Sequence, residues 1–269
     1  MALGIDVGGT GVKAALVNLA DGALLSRRVR RDTPDPSTPK SVVATIARVV
    51  EAIAEDIDLP PELPVGCGVP GVVKGGRLLT AANIDKGWLE VPAAEVIGAA
   101  LGRRVHLIND ADAAGIAEME FGAGRDHHGT VLMLTIGTGI GSGLFLDGRL
   151  VPNTELGHLE VNGRDAETRM SGSARERRRL KWPRWADEFN VYLARIEAYL
   201  WPDLIILGGG VSKVNARYGH LLESRAPIVV AQFLNSAGIA GAALYAARVE
   251  AALGSSAGGH SGRRPSHAG

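Results

Sequence analysis

The segment Asp6-Val7-Gly8-Gly9-Thr10-Gly11-Val12-Lys13 decides the predicted fold, because it places a glycine turn between two apolar stretches. Residues 3–7 before the turn and residues 12–18 after it have the apolar character of buried strands. The segment therefore predicts a β-hairpin rather than a strand–loop–helix unit. A dinucleotide-binding fingerprint is excluded because no helix follows the glycines, and a Walker loop is excluded because the Gly-Lys-Ser/Thr ending is missing.

The same segment carries groups that suit phosphate. Gly8 and Gly9 let backbone N–H groups approach an anion without a side chain in the way. Thr10 adds a hydroxyl donor and Lys13 a positive charge, and Asp6 is a candidate Mg²⁺ ligand, directly or through water. Taken alone, a plain hairpin with a polar rim explains the segment equally well, since short glycine motifs often match by chance.

A second strand–glycine–strand unit lies in the other half of the chain. Residues 130–136 predict a strand, Gly137-Thr138-Gly139-Ile140-Gly141-Ser142-Gly143 follows it, and residues 143–146 predict the returning strand. Asp147-Gly148 then predicts a hairpin turn. This unit repeats the pattern of residues 3–18, which predicts two lobes of one topology with a cleft between them.

A third glycine loop, Leu207-Gly208-Gly209-Gly210-Val211-Ser212, follows the predicted strand over residues 203–207 and leads into a predicted helix. Three such loops at the ends of predicted strands favour a phosphate-rich ligand over three unrelated turns. The candidate phosphate-binding residues of the second and third loops are Gly137, Thr138, Gly139, Gly209 and Gly210.

The remaining elements complete an α/β chain. Sequence periodicity predicts helices over 42–57, 91–101, 110–120, 188–200 and 238–253, and further strands over 23–30, 65–69 and 105–108. We expect a small N-terminal lobe over residues 1–108 and a large lobe over residues 109–253, with the helix 238–253 packing back on the small lobe. Residues 254–269 are rich in Gly, Ser, His and Arg and predict a disordered tail.

The composition excludes several classes of protein. Lys and Arg together number 29, as do Asp and Glu, so the chain carries no net charge and we expect no nucleic-acid partner. Cys67 is the single cysteine, which excludes an internal disulfide and a multi-cysteine zinc site, so no zinc is expected. No signal peptide and no apolar run of bilayer-spanning length is visible, which predicts a cytoplasmic protein without a membrane partner.

The segment Ile108-Asn109-Asp110-Ala111-Asp112 ends one predicted strand and opens a predicted helix. For an isolated aspartate at such a place, a helix N-cap is the better interpretation. The company of three phosphate loops favours a different role for Asp110, that of a general base that accepts the proton of an attacking hydroxyl.

Candidate sugar-binding groups follow the second glycine unit. Glu155-Leu156-Gly157-His158 brings an acid and an imidazole together, and Glu167 lies in a polar loop just after them. With Asn109, these groups suit the paired hydroxyls of a sugar, although an exposed loop salt bridge also explains the acid and the imidazole. Asn83, shortly before Gly87-Trp88, suits a sugar contact and a turn equally well.

As a set and in this order, the motifs resemble those of the ROK family (repressors, open reading frames, kinases), within the actin/hexokinase-like superfamily. Residues 6–13 and 137–143 resemble its two phosphate motifs, and residues 207–212 the loop near the adenosine. Residues 109–114 resemble the segment with the catalytic aspartate, and residues 155–158 the sugar-binding segment. The resemblance covers residues 3–253 and implies a ribonuclease H-like two-lobed fold with a mixed sheet in each lobe.

Three details resemble the bacterial polyphosphate glucokinases of this family. Residues 159–167 lack the cysteines of the zinc motif that most members carry, and residues 163–169 and 181–185 resemble segments typical of the polyphosphate enzymes. The resemblance implies phosphoryl transfer from inorganic polyphosphate, and often from ATP, to O6 of glucose, with Mg²⁺ as cofactor and a homodimer as the assembly. It also implies a glucose site made of Asn83, Asn109, Asp110, Glu155, His158 and Glu167.

Polyphosphate needs a cationic track, and one basic run is a candidate for it. The run comprises Arg175, Arg177, Arg178, Arg179 and Lys181, with Arg184 close behind and only Glu176 opposing it. A solvated helix face is the ordinary explanation of such a run.

Two other functions remain open at this point. One is a strictly ATP-dependent hexose or N-acyl-hexosamine kinase of the same fold. The other is a sugar-responsive transcriptional repressor, but repressors of the family carry a DNA-binding domain before the first phosphate motif. Because that motif begins at Asp6 here, we expect no such domain.

Overall fold

The computed structural model describes residues 1–81 and 84–258, so the candidate residue Asn83 lies outside the described residues. Within them the chain builds two five-stranded sheets and two short two-stranded ribbons. The strands are β1 (Ala2–Gly8), β2 (Gly11–Val17), β3 (Val29–Arg31), β4 (Val65–Val69), β5 (Val73–Lys74), β6 (Arg77–Leu78), β7 (Val105–Asn109), β8 (Thr130–Ile136), β9 (Ile140–Leu146), β10 (Arg149–Val151), β11 (Glu160–Val161), β12 (Arg164–Asp165), β13 (Leu204–Gly208) and β14 (Ile228–Val230).

The first sheet has the strand order β3-β2-β1-β4-β7. The strands β1, β2 and β3 form an antiparallel meander, and β4 and β7 extend the sheet parallel to β1. Gly8 pairs with Gly11 across the two-residue turn Gly9-Thr10, so the predicted glycine hairpin is present.

The strand β3 is shorter than the predicted strand over 23–30, because the ladder begins only at Val29. The hydroxyl of Ser26 accepts the backbone N–H of Leu16 at 3.0 Å, a bond that a strand backbone would otherwise accept. Before Val29, only Leu24 forms a bridge, to Val17. A side-chain acceptor therefore interrupts the pairing, which sequence alternation does not reveal.

The second sheet has the order β10-β9-β8-β13-β14 and repeats the topology of the first. The strands β8, β9 and β10 form the antiparallel meander, and β13 and β14 run parallel to β8. The strand β9 begins at Ile140, so the second half of the second glycine segment is strand rather than loop. The two sheets share one topology, as the repeat of the glycine motif predicted.

The α-helices form three layers, one on the outer face of each sheet and one between the sheets. They are α1 (Pro39–Ala54), α2 (Ala93–Leu101), α3 (Asp110–Phe121), α4 (Ala166–Met170), α5 (Gly172–Arg177), α6 (Trp182–Leu200), α7 (Gly209–Ser212) and α8 (Ala237–Gly258). The pair α1 and α2 packs on one face of the first sheet, and α3 and α8 pack together between the two sheets. The helix α6 lies on the far face of the second sheet, where Trp185, Phe189 and Tyr192 are fully buried.

The strand β8 shows how one sequence serves two layers. Val131 and Met133 belong to the core under α3 and α8, whereas Leu132 and Leu134 belong to the core under α6. This alternation follows from the two-residue period of a strand.

The helix α8 lies against β1, β4 and α3 at backbone distance. At Gly66 in β4, an added Cβ would stand 1.8 Å from the carbonyl oxygen of Ala242. Only glycine permits that approach. The last helix of the described chain thus rests directly on the first sheet.

Several helix boundaries differ from the sequence predictions: α1 covers Pro39–Ala54 instead of 42–57, α2 begins at Ala93 instead of residue 91, and α6, α7 and α8 differ as follows. The helix α6 begins at Trp182 instead of residue 188, because Pro183 suits the first turn of a helix. The helix α7 after the third glycine loop is a single turn of four residues. The helix α8 continues to Gly258, so the predicted disordered tail is wrong for residues 254–258, and residues 259–269 lie outside the described residues.

Across residues 1–81 and 84–258, no helix combines the length and the apolar character that a bilayer crossing requires.

Candidate active site

One cavity of about 290 Å³ opens between the two sheets, and both glycine hairpins face it. Every described candidate residue of the three glycine loops and of the sugar site lines this cavity. These residues are Asp6, Gly8, Gly9, Thr10, Lys13, Asn109, Asp110, Gly137, Thr138, Gly139, Glu155, His158, Glu167, Gly209 and Gly210. Segments far apart in the sequence therefore meet at one place.

Asp110 is the first residue of α3, and the neighbouring Asn109 is the N-cap. The side-chain oxygen of Asn109 accepts the backbone N–H groups of Ala111 at 2.8 Å and Asp112 at 3.0 Å. Since Asn109 caps the helix, the carboxyl of Asp110 is available to the cavity, although its Oδ1 also accepts the N–H of Ala111 at 2.9 Å.

The surroundings of Asp110 favour its neutral form. Burial, followed by the negative charge of Asp6, raises the pKa of Asp110 from 3.8 to about 7. A carboxyl with a pKa near neutrality exchanges protons efficiently at physiological pH. Strongly shifted groups in a cleft are common at functional sites.

Asp6 and Lys13 pair across the first hairpin. Their positions are opposite each other in the β1–β2 ladder, and Nζ of Lys13 lies 2.8 Å from Oδ2 of Asp6. The first turn of α8 lies beside them. An added Cβ at Gly238 would stand only 3.0 Å from the carboxyl carbon of Asp6. The cavity thus has a carboxylate and an ammonium next to the first glycine turn.

Asn109 and Glu155 join two segments of the cavity wall. The amide Nδ2 of Asn109 donates to the backbone oxygen of Gly71 at 3.1 Å and to Oε1 of Glu155 at 3.3 Å. Burial raises the pKa of Glu155, while the nearby His158 opposes that shift. These groups present donors and acceptors to a polar ligand.

His158 and Glu167 are each held by a partner. Nδ1 of His158 lies 2.7 Å from Oδ2 of Asp165, and this hydrogen bond raises the pKa of His158. Oε2 of Glu167 accepts the backbone N–H of Ile140 at 2.9 Å, which ties the sugar segment to the second glycine loop.

The second glycine loop contacts both α5 and the third glycine loop. The N–H of Ser173 at the start of α5 donates to the backbone oxygen of Gly137 at 3.2 Å. Gly209 has φ +78°, and an added Cβ there would stand 2.5 Å from the backbone oxygen of Ile136. The third loop therefore approaches the second at backbone distance, which needs glycine at position 209.

Several residues of the site carried no sequence signal. Asp165, the partner of His158, looks like any polar loop residue in the sequence. Asn153 has φ +61°, and its backbone N–H donates to Oδ2 of Asp112 at 2.8 Å. Its side-chain oxygen accepts the N–H of Val73 at 2.7 Å, so it links α3 to the β5–β6 ribbon. A left-handed asparagine in a loop is a signal only once the backbone is known.

Only part of the basic run faces solvent freely. Both guanidinium NH groups of Arg178 bond the carboxylate of Glu188, at 2.7 and 2.8 Å, and Arg175 stacks on the Trp182 ring at 3.7 Å from its centroid. Arg177, Arg179 and Lys181 are exposed. None of these residues lines the cavity, but α5 connects them to the second glycine loop.

No group of three or more His, Cys, Asp or Glu side chains able to hold a metal ion occurs within residues 1–81 and 84–258. Cys67 is free and buried in β4, and burial raises the pKa of its thiol.

Comparison with known proteins defines the class. The sequence profile of the ROK family matches residues 2–177, and the chain belongs to the ROK family. A polyphosphate glucokinase of Mycobacterium tuberculosis is 47% identical over 242 residues, which cover 90% of this chain and 89% of the relative.

Solved structures agree with this assignment. An inorganic polyphosphate/ATP-glucomannokinase from Arthrobacter sp. strain KM is 47% identical, with a TM-score of 0.90 over 92% of this chain and 98% of that one. A ROK family glucokinase from Streptomyces griseus, solved with glucose and AMPPNP, is 27% identical, with a TM-score of 0.76 over 92% of this chain and 99% of that one. The fold is therefore the actin/hexokinase-like fold of ROK sugar kinases.

Proposed function

We propose that this chain is a polyphosphate glucokinase, which transfers a phosphoryl group from inorganic polyphosphate, and from ATP, to O6 of glucose. The observation that carries the proposal is the cavity in which Asp110, with a pKa raised to about 7, meets three glycine loops. The 47% identity to a polyphosphate glucokinase over nine-tenths of the chain supports the choice of substrates.

In the proposed reaction, Asp110 accepts the proton of the glucose 6-hydroxyl. The oxygen O6 attacks the terminal phosphorus of the donor in line, so a new O6–P bond forms while the P–O bond to the rest of the donor breaks. The leaving group is a polyphosphate shortened by one unit, or ADP. A positioned general base contributes about 10²–10⁴-fold to such a rate.

The glycine loops supply the remaining electrostatics in this proposal. Phosphoryl transfer depends mainly on positioning and on neutralising charge at the phosphoryl oxygens. The backbone N–H groups at Gly8–Thr10 and 137–139, with the ammonium of Lys13, border the same cavity as Asp110. They are the groups that would hold the terminal phosphates.

Asp6 fits a Mg²⁺ ion in this scheme. Mg²⁺ at phosphate sites is commonly held by one or two carboxylates together with the substrate phosphates, and Asp6 provides one carboxylate on the phosphate side of the cavity. When bound, the ion would neutralise charge on the donor phosphates. Lys13 keeps the Asp6 carboxylate in place at 2.8 Å.

The sugar is proposed to lie between Asn109, Glu155, His158 and Glu167. Each of these side chains borders the cavity, and each is fixed by a protein partner. Groups held in this way pay little ordering entropy when they bind paired hydroxyls. The exposed cations Arg177, Arg179 and Lys181 are the proposed polyphosphate track, and α5 leads from them to the second glycine loop.

The test is a donor and acceptor assay on the purified chain. Glucose 6-phosphate formation should be measured with polyphosphate and with ATP, and mannose should be compared as acceptor because a 47% identical structure is a glucomannokinase. Transfer from polyphosphate to glucose is the expected result. Transfer from ATP alone would replace the proposal with a strictly ATP-dependent hexokinase, and no transfer from either donor would overturn both.

A further inference from the structure

The loop over residues 231–236 borders the third glycine loop. It follows β14, which runs parallel to β13, and the N–H of Ala231 donates to the backbone oxygen of Leu207 at 2.9 Å. Loops after neighbouring parallel strands leave the sheet at the same edge. Leu234 and Asn235 accordingly line the same cavity as Gly209 and Gly210.

Leu234 has an unusual conformation for a leucine. Its φ is +45°, in the left-handed region that residues other than glycine seldom adopt, and 47% of the residue is exposed. Such a conformation persists only where the surrounding structure enforces it, and such residues cluster at active sites, ligand clamps and switch regions. An exposed apolar side chain at a cleft lined largely by glycines and polar groups needs an explanation.

The carboxylate of Glu118 enforces the conformation of this loop. Glu118 is fully buried, its Oε2 accepts the N–H of Gln232 at 3.0 Å, and its Oε1 accepts the N–H of Phe233 at 2.7 Å. The ring of Phe233 packs against Phe121, with ring centroids 5.8 Å apart. The two residues before Leu234 are therefore fixed to α3, the same helix that begins with Asp110.

We infer that Leu234 is a specificity-determining residue for the donor, because it forms an apolar edge against which the base of a nucleoside triphosphate packs and which inorganic polyphosphate does not use. The inference rests on the proposed function of the same cavity. A purine base has an apolar face that gains free energy when it leaves water. A polyphosphate chain has only anionic units and gains nothing from a leucine.

The test compares two ligands that share a triphosphate and differ in the nucleoside. Binding of AMP-PNP and of inorganic tripolyphosphate should be measured by calorimetry for the wild type and for Leu234→Asn. Asparagine tolerates the left-handed region, so the substitution keeps the backbone and removes the apolar edge. We expect the Kd of AMP-PNP to rise about 5–10-fold, as the loss of a partly buried leucine contact implies, and the Kd of tripolyphosphate to change less than about twofold.

Two further variants sharpen the test. Leu234→Gly accepts the same φ without strain and should show the same selective loss for AMP-PNP. Leu146→Asn makes the same change at a leucine that is 54% exposed in β9 and outside the cavity, and it should leave both affinities unchanged. Thermal unfolding of each variant verifies that it folds.

Equal weakening of both ligands by Leu234→Asn, or no change for either, would overturn the inference. Because binding is measured without turnover, this outcome is separate from the proposed function. That function fails if the wild type transfers no phosphoryl group to glucose, even when the nucleotide still binds beside Leu234.

Discussion

Lys13 and Asp6 face each other across the β1–β2 ladder, with Nζ and Oδ2 2.8 Å apart, and the charge of Asp6 reaches Asp110 in the same cavity. After burial, Asp6 is the largest cause of the raised pKa of Asp110. We therefore expect Lys13 to act on the proposed base indirectly, because its positive charge lies against the negative charge of Asp6.

Replacing Lys13 with methionine should shift the pH dependence of turnover. Without the ammonium, the full charge of Asp6 acts on Asp110, so the pKa of Asp110 rises further. We expect the acidic limb of kcat/KM for glucose to move to higher pH by about 0.5–1 unit. Lys40→Met, at an exposed position in α1, should leave the limb in place. An unmoved limb in Lys13→Met would mean that Asp110 does not sense this pair.

Replacing Asp110 with asparagine should remove the base but keep the helix. Asn109 still caps α3, so the fold and glucose binding should persist. We expect kcat to fall about 10²–10⁴-fold. In the wild type, activity should rise with pH through about 7, since the base must be deprotonated, and that rise should vanish in the variant. Near-normal turnover would sink the assignment of Asp110.

Replacing Asp112 with asparagine should stabilise the protein at alkaline pH. Asp112 is 1% exposed, its Oδ1 has no hydrogen-bond partner within residues 1–81 and 84–258, and burial raises its pKa to about 7. Below pH 4 the group is protonated in both folded and unfolded states, so its ionisation has no effect on stability there. Between pH 4 and 7 the carboxyl ionises in the unfolded state but not in the folded state, which lowers the free energy of unfolding. Above pH 7 it is ionised in both states, and the destabilisation is at its maximum.

We therefore expect Asp112→Asn to gain about 1–3 kcal/mol at pH 8 and little at pH 4. Urea unfolding at the two pH values measures this difference. Asp187→Asn, on the exposed side of α6, should change stability by less than about 0.5 kcal/mol at both. A gain for Asp112→Asn that is equal at both pH values would contradict the ionisation argument.

Replacing Glu118 with alanine should destabilise the fold strongly. Its carboxylate accepts the N–H groups of Ala123, Gln232 and Phe233, and alanine leaves these donors without that partner. We expect a loss of about 2–4 kcal/mol in urea unfolding. Glu120→Ala is the matched control on the same helix, because Glu120 forms an exposed ion pair with Arg248 and should lose under about 1 kcal/mol. Equal losses of stability in the two variants would show that the three hydrogen bonds to Glu118 contribute no more than the exposed ion pair of Glu120.

The basic run should divide into two functional parts. Arg178→Ala breaks the bidentate bond with Glu188 and should lower stability by about 1 kcal/mol, without favouring either donor. The combination of Arg177→Gln, Arg179→Asn and Lys181→Gln removes exposed charges and should raise the KM of polyphosphate more than that of ATP. Arg179 takes asparagine because its φ is +52°. Equal effects on both donors would refute the track.

Local sequence predicted the hairpins and the topology well, because glycine and Asp-Gly turns are short-range signals. The strand β8 was predicted with its observed bounds, and the repeat of the glycine motif predicted the repeat of the sheets. The strand β3 was predicted too long, since the hydroxyl of Ser26 replaces a backbone acceptor. That competition depends on the folded position of a side chain, and alternation of residues does not show it.

The candidate site was predicted only where its residues belong to a local sequence motif. Motif residues such as Asp110 and Gly137 were found because their spacing is characteristic, and the structure places them on one cavity. Asp165 and Glu118 were missed, because their importance comes from partners at positions 158 and 232–233. Arg178 was grouped with the exposed cations because the sequence does not show that Glu188 neutralises it.

The backbone contact between Gly66 and Ala242 also bears on how the protein is made. The first sheet is synthesised early and its last strand ends at Asn109, but the helix that covers one of its faces begins only at Ala237. On a ribosome, that apolar face remains open to water, or to chaperones, while the whole second sheet is translated. The first half of the chain therefore completes its fold only after the second half has emerged. A ribosome stalled before α8 would leave the apolar face of the first sheet exposed and prone to aggregation.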